Sequence, residues 1–253
     1  MSADPKLDIG TESKKSSGFF SETFSVIFQA LLLAVVLRTL LFQPFSIPSG
    51  SMMPNLLIGD YLFVSKFSYG YSRYSIPFAP DLFRGRIWEG KPERGDIAVF
   101  KLPSNPEIDY IKRVVGVPGD TIQMVDGVLQ INGAPVPKVP NGEFVDTRTA
   151  TNTKVPMYKE TLSNGVTFDT LDINPNGLGD NTRVFEVPAG HYFMMGDNRD
   201  NSADSRFEVG FVPLENFVGK ASIIFFSIGD GAHPLAVWRW PDALRASRLF
   251  QGL

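Results

Sequence analysis

The first hydrophobic segment of the chain covers residues 19–42 and is apolar nearly all round. As a helix, its 24 residues would extend about 36 Å, enough to cross a hydrocarbon core of about 30 Å. Arg38 stands near the end of the segment, where its guanidinium can reach lipid headgroups. Pro44 is expected to end the helix. The pattern predicts one membrane-spanning helix over residues 19–42, preceded by a polar, flexible tail over residues 1–18.

Two other interpretations of this segment fit less well. A cleaved leader needs small residues soon after its apolar run, and residues 40–44, LLFQP, offer none. A buried core helix should be amphipathic. An uncleaved anchor is therefore favoured. Three lysines precede the segment and no Lys or Arg occurs in residues 43–65, which places the tail in the cytoplasm and the rest outside, although acidic residues accompany those lysines.

Beyond the anchor, the apolar runs are short and typical of β-strands. Asp126-Gly127 predicts a hairpin turn, and Asn132-Gly133 predicts a second turn. The predicted strands cover residues 61–66, 97–101, 110–117, 121–125, 128–131, 166–171, 183–187, 192–195 and 221–228. We therefore expect a mainly β protein with antiparallel strands.

Residues 134–185 differ from the rest in carrying scattered prolines among Asn, Thr and Gly. They are predicted to form a β subdomain inserted into a β core that is built from residues 43–133 and 186–253. The C-terminal stretch from Trp238 to Arg248 mixes aromatic residues with arginines. It is interpreted as a surface strand and a short helix, which either lie at a membrane interface or pack in the ordinary way.

Composition excludes several classes of function. The 253 residues are 43% hydrophobic, which suits one or two folded domains, and a net charge of −3 argues against a nucleic-acid partner. Cysteine is absent, which excludes disulfides, thiol catalysis and cysteine metal sites. With two histidines and no HExxH pattern, a zinc enzyme is not indicated. No metal and no cofactor are predicted, and no oligomeric state is indicated.

Ser51 is the first candidate for chemistry. It lies in IPSGSMMP, residues 47–54, a tight turn that can expose one hydroxyl and direct backbone N–H groups toward a neighbouring point. A serine needs a base to take its proton, and neither His191 nor His233 has the surroundings of a catalytic triad. Lys112 is the better candidate. It would be either an edge-strand lysine that discourages aggregation, or a base whose pKa burial lowers by about three units.

A third string, GDNRDNSADSR at residues 196–206, is dense in short polar side chains. It is either a solvated loop with Asx turns or a buried hydrogen-bonded network that makes a site rigid.

Four segments in order carry a specific resemblance. They are PSGSMMPNLLIGDYLFVSK (48–66), RGDIAVFK (94–101), DYIKRVVGVPGD (109–120) and GDNRDNSADSR (196–206). Together they resemble the bacterial type I signal peptidases, or leader peptidases, which remove signal peptides from exported proteins with a serine and a lysine. The resemblance implies that Ser51 is the nucleophile and Lys112 the general base. It also implies an oxyanion hole made by the Ser51 N–H and the Ser49 hydroxyl.

Further roles follow from the same resemblance. The Ser202 hydroxyl would orient the Lys112 amine, and Asp204 and Arg206 would form a supporting polar network. Shallow apolar pockets would receive small residues one and three positions before the cut. By position, their lining would be Phe45, Ile47, Met52, Leu56, Leu62, Val99, Tyr110 and Ile111. Asn55 departs from the family, which often has threonine there, with no expected effect on catalysis.

The expected function is that of a membrane-bound serine endopeptidase that cleaves precursors after Ala-X-Ala and works through an acyl-enzyme. Its partners would be signal-peptide-bearing precursors and the lipid bilayer, with the catalytic domain on the periplasmic side of a bacterial inner membrane. Three other functions compete with this one. A related protease dedicated to conjugation or specialised secretion shares these features, and a non-catalytic membrane-anchored β module leaves the serines and the lysine unexplained. A soluble self-cleaving repressor would carry a DNA-binding domain, which the sequence does not show.

Overall fold

A computed structural model of the chain describes residues 16–76, 79–81, 83–147, 152–229 and 237–253. The chain divides into two compact units between Arg38 and Thr39. Predictions that concern residues 1–15 and His233 lie outside the described residues.

The first unit is formed by most of helix α1, Ser16–Leu40. Residues Ser21–Leu40 have a mean hydropathy of 2.0 and are long and apolar enough to cross a membrane. Their side chains are exposed, Phe24 by 71%. The helix ends two residues before the predicted end at Phe42, which already belongs to a strand. In a continuing helix the Pro44 ring would clash with the Leu40 carbonyl, which explains the earlier end.

The second unit contains fifteen strands within the described residues. They are β1 Phe42–Ser46, β2 Asp60–Ser65, β3 Ile97–Leu102, β4 Asn105–Gly116, β5 Thr121–Val125, β6 Val128–Ile131, β7 Ala134–Pro135, β8 Lys138–Asp146, β9 Thr153–Thr161, β10 Thr167–Leu171, β11 Phe185–Glu186, β12 His191–Met195, β13 Val212–Pro213, β14 Phe217–Ser227 and β15 Gln251–Gly252. Every pairing between these strands is antiparallel. The predicted fold class, mainly β with antiparallel strands, is confirmed.

The largest sheet has the order β1-β2-β14-β3-β4-β12-β13, and β15 pairs with β14. Strand β4, which carries Lys112, lies between β3 and β12. Lys112 is opposite Ala98 of β3, and the pairing with β12 begins at the next residue, Arg113. Because Lys112 is only 4% exposed, it does not cover an exposed sheet edge, and its interpretation as an edge-strand lysine is wrong.

A four-stranded sheet, β11-β5-β6-β7, and a three-stranded sheet, β10-β9-β8, complete the unit. Asp126 and Gly127 have φ values of 48° and 70°, as the predicted β5–β6 hairpin turn requires. The second turn, at residues 132–133, joins β6 to β7 in one sheet. The predicted boundary between residues 133 and 134 therefore falls inside the four-stranded sheet. Strand β6 ends before this boundary, β7 begins after it, and the two strands pair with each other.

The C-terminal stretch packs against the largest sheet. Helix α2, Trp240–Ala243, brings the Trp240 ring to 5.1 Å from the Phe226 ring. Arg248 Nη2 lies 2.6 Å from an oxygen of the buried Asp60 carboxylate. These contacts support ordinary packing for this part of the stretch, and a membrane contact stays a prediction.

Candidate active site

Ser51 lies in the turn that connects β1 to β2. Within the turn, the Met53 N–H donates to the Gly50 carbonyl at 3.2 Å. Asn198 fixes the turn from outside, since its backbone N–H donates to the Ser51 carbonyl at 3.0 Å and its Nδ2 donates to the Gly50 carbonyl at 3.1 Å. The segment at residues 196–206 therefore holds the Ser51 turn in place.

Lys112 approaches Ser51 from the inner strand β4. Its Nζ donates to Ser51 Oγ at 2.6 Å and to the Ile111 carbonyl at 3.1 Å. Ser51 is 8% exposed and Lys112 is 4% exposed. Burial lowers the pKa of Lys112 to about 8, against the opposing effect of the Asp204 and Asp197 carboxylates. The Ser51 hydroxyl thus lies beside an amine with a pKa well below that of an ordinary lysine, at about 8.

Ser202 is close to the same turn but does not make the expected contact. A Cβ on Gly196 would collide with the Ser202 side chain and lie 2.6 Å from the Ser51 carbonyl oxygen, so only glycine fits between them. The Ser202 hydroxyl is buried, and among the described residues it has no hydrogen-bond partner. The predicted bond between this hydroxyl and the Lys112 amine is not formed in the described structure, and its orienting role stays a prediction.

Asp204 and Arg206 form a buried pair behind the turn. Arg206 Nε and Nη2 donate to the two Asp204 oxygens at 3.0 and 2.9 Å, and the Gly196 N–H donates to Asp204 Oδ2 at 3.0 Å. Arg206 Nη2 also donates to the Arg199 carbonyl at 2.5 Å. The segment is therefore a buried network and not a solvated loop.

A second buried ion pair, which the sequence analysis did not identify, lies next to Lys112. Arg113 Nε and Nη2 donate to the two oxygens of Asp197 at 2.8 and 2.7 Å. Asn55 Nδ2 donates to the same Asp197 carboxylate at 2.8 Å and to the Asp169 carbonyl at 2.6 Å. The signal in the sequence was position, because Arg113 follows Lys112 and Asp197 is the first charged residue of the string at residues 196–206.

Ser51 and Lys112 line a cavity of about 480 Å³. Five of the predicted pocket residues line it, namely Phe45, Ile47, Val99, Tyr110 and Ile111. Ser49 lines it as well, and so do Asp109, Asn201 and Ala203, which the sequence analysis missed.

The other three predicted pocket residues do not line the cavity. Met52, Leu56 and Leu62 have no exposed surface and belong to the hydrophobic core that also contains Ile47 and Val99. They do not line this cavity, and their role in a substrate pocket stays a prediction, because positions along a turn and a strand do not reveal depth below the surface.

His191 does not contribute to this cavity. Its Nδ1 lies 2.9 Å from the Ala189 carbonyl oxygen, and it is absent from the cavity lining. Within the described residues, Lys112 is therefore the ionisable side chain hydrogen-bonded to the Ser51 hydroxyl.

A serine hydroxyl held against a buried amine in an open cavity is the arrangement of a serine hydrolase, here on an antiparallel β scaffold. The family model for signal peptidase, peptidase S26, matches residues 20–226. The chain belongs to this family, and it is a serine peptidase. The resemblance inferred from the four sequence segments is thereby confirmed.

Individual relatives agree with the family match. A protein named signal peptidase I from Rickettsia typhi is 40% identical over 259 residues, which cover 96% of this chain and 97% of the relative. Another from Rickettsia prowazekii is 41% identical over 240 residues, covering 88% and 90%. A crystal structure of a signal peptidase I from Enterococcus faecalis V583 is 29% identical and matches 52% of this chain and 97% of its own, with a TM-score of 0.33.

Proposed function

We propose that this protein is a membrane-anchored endopeptidase that removes N-terminal signal peptides from exported precursors by cutting after small residues. The observation that carries the proposal is the 2.6 Å hydrogen bond between Lys112 Nζ and Ser51 Oγ, which lies in a cavity of a signal peptidase family member. The relatives named signal peptidase I match nearly the whole chain, which supports the same activity.

Acylation would begin with neutral Lys112. Its amine takes the Ser51 proton while Oγ attacks the scissile carbonyl carbon, so the ammonium forms as the tetrahedral oxyanion forms. The Ser51 N–H and the Ser49 hydroxyl would donate to that oxyanion. Neither group has a hydrogen-bond partner among the described residues, which supports this role.

The end of acylation and the deacylation that follows would both use the same lysine. The Lys112 ammonium gives its proton to the leaving amine, which departs with the mature protein and leaves the signal peptide as an ester on Ser51. Water then attacks the ester carbonyl while Lys112 takes a water proton. The proton returns to Ser51 Oγ as the ester breaks. The reaction uses one water and needs no other reactant.

The shape and lining of the cavity support the preference for small residues. Its walls are largely apolar, with Phe45, Val99 and Ile111 among them. Val99 and Ile47, which line the cavity, also belong to a close-packed hydrophobic core. These two side chains therefore cannot move away to admit a large side chain. Alanine side chains would bury their methyl groups there without displacing a wall.

The membrane part of the proposal concerns helix α1. We place α1 across a bacterial inner membrane with the N-terminus in the cytoplasm and the second unit on the periplasmic side. The apolar length of Ser21–Leu40 supports the span, and the distribution of lysines supports the orientation. Protease added to spheroplasts should digest the region from residue 43 to residue 253, and protection of that region would contradict the orientation.

The activity can be tested with the full chain purified in detergent. A precursor with an Ala-X-Ala site should be cut once, with the new N-terminus directly after the second alanine, as mass spectrometry would show. A precursor with Phe in place of that alanine should resist cleavage. Cutting of the Phe precursor at the same rate, or no cutting of either precursor, would contradict the proposal. Cleavage of one specialised precursor alone would instead indicate a dedicated processing protease.

A further inference from the structure

Three aspartates meet away from the Ser51–Lys112 pair. Asp172 follows β10, Asp180 lies in the loop before β11, and Asp200 belongs to the polar segment at residues 196–206. Each offers one carboxylate oxygen, and the three oxygens lie within 4.8 Å of one another. Nothing in the proposed peptidase mechanism uses this acidic cluster.

One oxygen of the acidic cluster is buried without a partner. Asp172 is 9% exposed, and its Oδ1 has no hydrogen-bond partner among the described residues. Its other oxygen, Oδ2, accepts from Lys138 Nζ at 2.7 Å. Leaving a buried carboxylate oxygen without a hydrogen-bond partner destabilises the folded state. A cation that binds Oδ1 would remove this cost.

The charge of the acidic cluster also favours a cation. Lys138 is the ammonium that pairs with it, and its Nζ is also held by the Gly127 carbonyl at 2.9 Å. Among the described residues, one ammonium is paired with these three carboxylates, which leaves an excess of negative charge. Carboxylates this close repel one another unless a cation or protons intervene.

The backbone fixes one oxygen of each of the other two carboxylates. The Gly177 N–H donates to Asp180 Oδ2 at 2.6 Å. The Ile173 and Asn174 N–H groups donate to Asp200 Oδ2 at 2.7 and 2.8 Å. The second oxygen of each carboxylate remains for another ligand. A Cβ on Gly177 would collide with Asp200 Oδ1, so a glycine is required for this approach.

The first half of the loop after β10 has the sequence pattern of a calcium-binding loop. Residues 172–177 read DINPNG, which fits the pattern Asp-x-Asn-x-Asn-Gly with which helix-loop-helix calcium loops begin. Asp180 stands at the ninth position, which is also a ligand position in such loops. At the twelfth position Arg183 replaces the usual glutamate. Here Asp200 brings a carboxylate from another segment.

We propose that Asp172, Asp180 and Asp200 bind one calcium ion. Calcium takes carboxylate oxygens at 2.3–2.6 Å in flexible geometries, so one ion can bridge oxygens within 4.8 Å of one another. The ion would connect the loop after β10 to the segment that carries Asn201 and Ala203, which line the cavity. Its affinity should be weak, with a dissociation constant of roughly 10⁻⁴ to 10⁻³ M, as in extracellular calcium modules.

The test is calcium binding by the detergent-purified full chain, free of anionic lipid. Calorimetric titration with CaCl₂ should show one saturable site per chain. At about 10 mM CaCl₂, a dissociation constant of about 0.5 mM would raise the Tm by about 4 °C above its value in chelator. Asp172→Asn and Asp180→Asn keep the side-chain shape and should abolish both effects. Asp126→Asn removes an exposed charge from the neighbouring β5–β6 turn and should leave both unchanged.

Three results would overturn the calcium site. One is the absence of saturable heat and of any Tm difference between CaCl₂ and chelator. Another is retention of the full effect in Asp180→Asn. The third is an equal response to MgCl₂ at the same concentration, because a cation specific to this flexible oxygen site should be calcium. None of these measurements depends on peptidase activity.

Discussion

Peptidase activity should rise with pH and level off as Lys112 loses its proton. The perturbation is a change of pH from 6 to 10, and the group that responds is the buried amine hydrogen-bonded to Ser51. Burial disfavours the ammonium and lowers the pKa of Lys112 from 10.5 to about 8. Since the neutral amine is the base, the active fraction is small below the pKa and nearly complete above it.

The size of the effect follows from this pKa. The shift from 10.5 to about 8 corresponds to roughly 3 kcal/mol of destabilisation of the ammonium at about 1.36 kcal/mol per pKa unit. The neutral fraction of Lys112 would be about 0.09 at pH 7 and about 0.91 at pH 9. The value of kcat/KM should therefore rise about tenfold over these two units, with an apparent pKa near 8.

The sign of the linked stability effect is opposite to that of a lysine whose pKa is raised by a salt bridge. Because the folded pKa lies below the unfolded value, the unfolded chain binds more protons between about pH 8 and pH 10.5. The contribution of Lys112 to the free energy of unfolding should therefore rise over this window. Below pH 8 the folded state carries the full cost of the buried ammonium.

The assay is initial-rate cleavage of a precursor with an Ala-X-Ala site at subsaturating concentration, in buffers of equal ionic strength. The Tm measured at each pH identifies the range in which the protein stays folded. A flat profile between pH 7 and pH 9 would refute the reasoning. A rise centred near the ordinary lysine pKa, about 10.4, would also refute it, because the amine would then not be desolvated when it acts.

Other substitutions around the site give distinct outcomes. Asp197→Asn should lower the free energy of unfolding by roughly 3–5 kcal/mol, because it leaves the buried Arg113 guanidinium without its carboxylate partner, and denaturant titration measures this. Gly196→Ala should lower kcat by more than about tenfold while circular dichroism stays unchanged, because the new methyl group displaces Ser202 and the turn beside it. Ser202→Ala should change the free energy of unfolding by less than about 1 kcal/mol, since the hydroxyl has no described partner. If that hydroxyl orients the Lys112 amine, the same variant should lower kcat more than it changes KM.

Matched controls separate these effects from general damage. Glu143→Gln removes a carboxylate from an exposed ion pair with Lys154 and should leave the free energy of unfolding nearly unchanged. Gly252→Ala adds a methyl group where a Cβ meets no atom within 4 Å, so it should leave kcat unchanged. Equal losses in Asp197→Asn and Glu143→Gln would contradict the importance assigned to the buried pair. Full activity in Gly196→Ala would contradict the tight packing at that glycine.

The features that the sequence predicted best depend on local signals. Strands β5 and β6 were predicted with their full bounds, because the apolar alternation and the Asp126-Gly127 turn both act within a few residues. The contact between Ser51 and Lys112 joins residues that are far apart in the sequence, so local patterns alone could not predict it. The resemblance of four segments to a known family was needed to join them.

The long hairpin of β8 and β9 was not predicted. Pro140 and Pro156 lie within these strands, and proline is usually a sign against a strand. The two strands tolerate it because their register shifts between Pro140 and Glu143, a local irregularity of the ladder. Most residues of β8 are exposed, so no alternation of apolar side chains marks it. The complete burial of Met52 could not be predicted for a related reason, since the depth of a residue depends on tertiary packing.

Ser51 and Lys112 have the central roles in the proposed reaction. Precursor cleavage by their variants tests these roles most directly. Ser51→Ala removes the nucleophile, and Lys112→Arg keeps the charge but cannot supply a neutral base. Ser163→Ala and Lys154→Arg are matched changes outside the cavity lining. We predict background turnover for Ser51→Ala, a loss of roughly 10²–10⁴-fold for Lys112→Arg, and unchanged turnover for both controls. Turnover near the wild-type rate in either Ser51→Ala or Lys112→Arg would contradict the central claim.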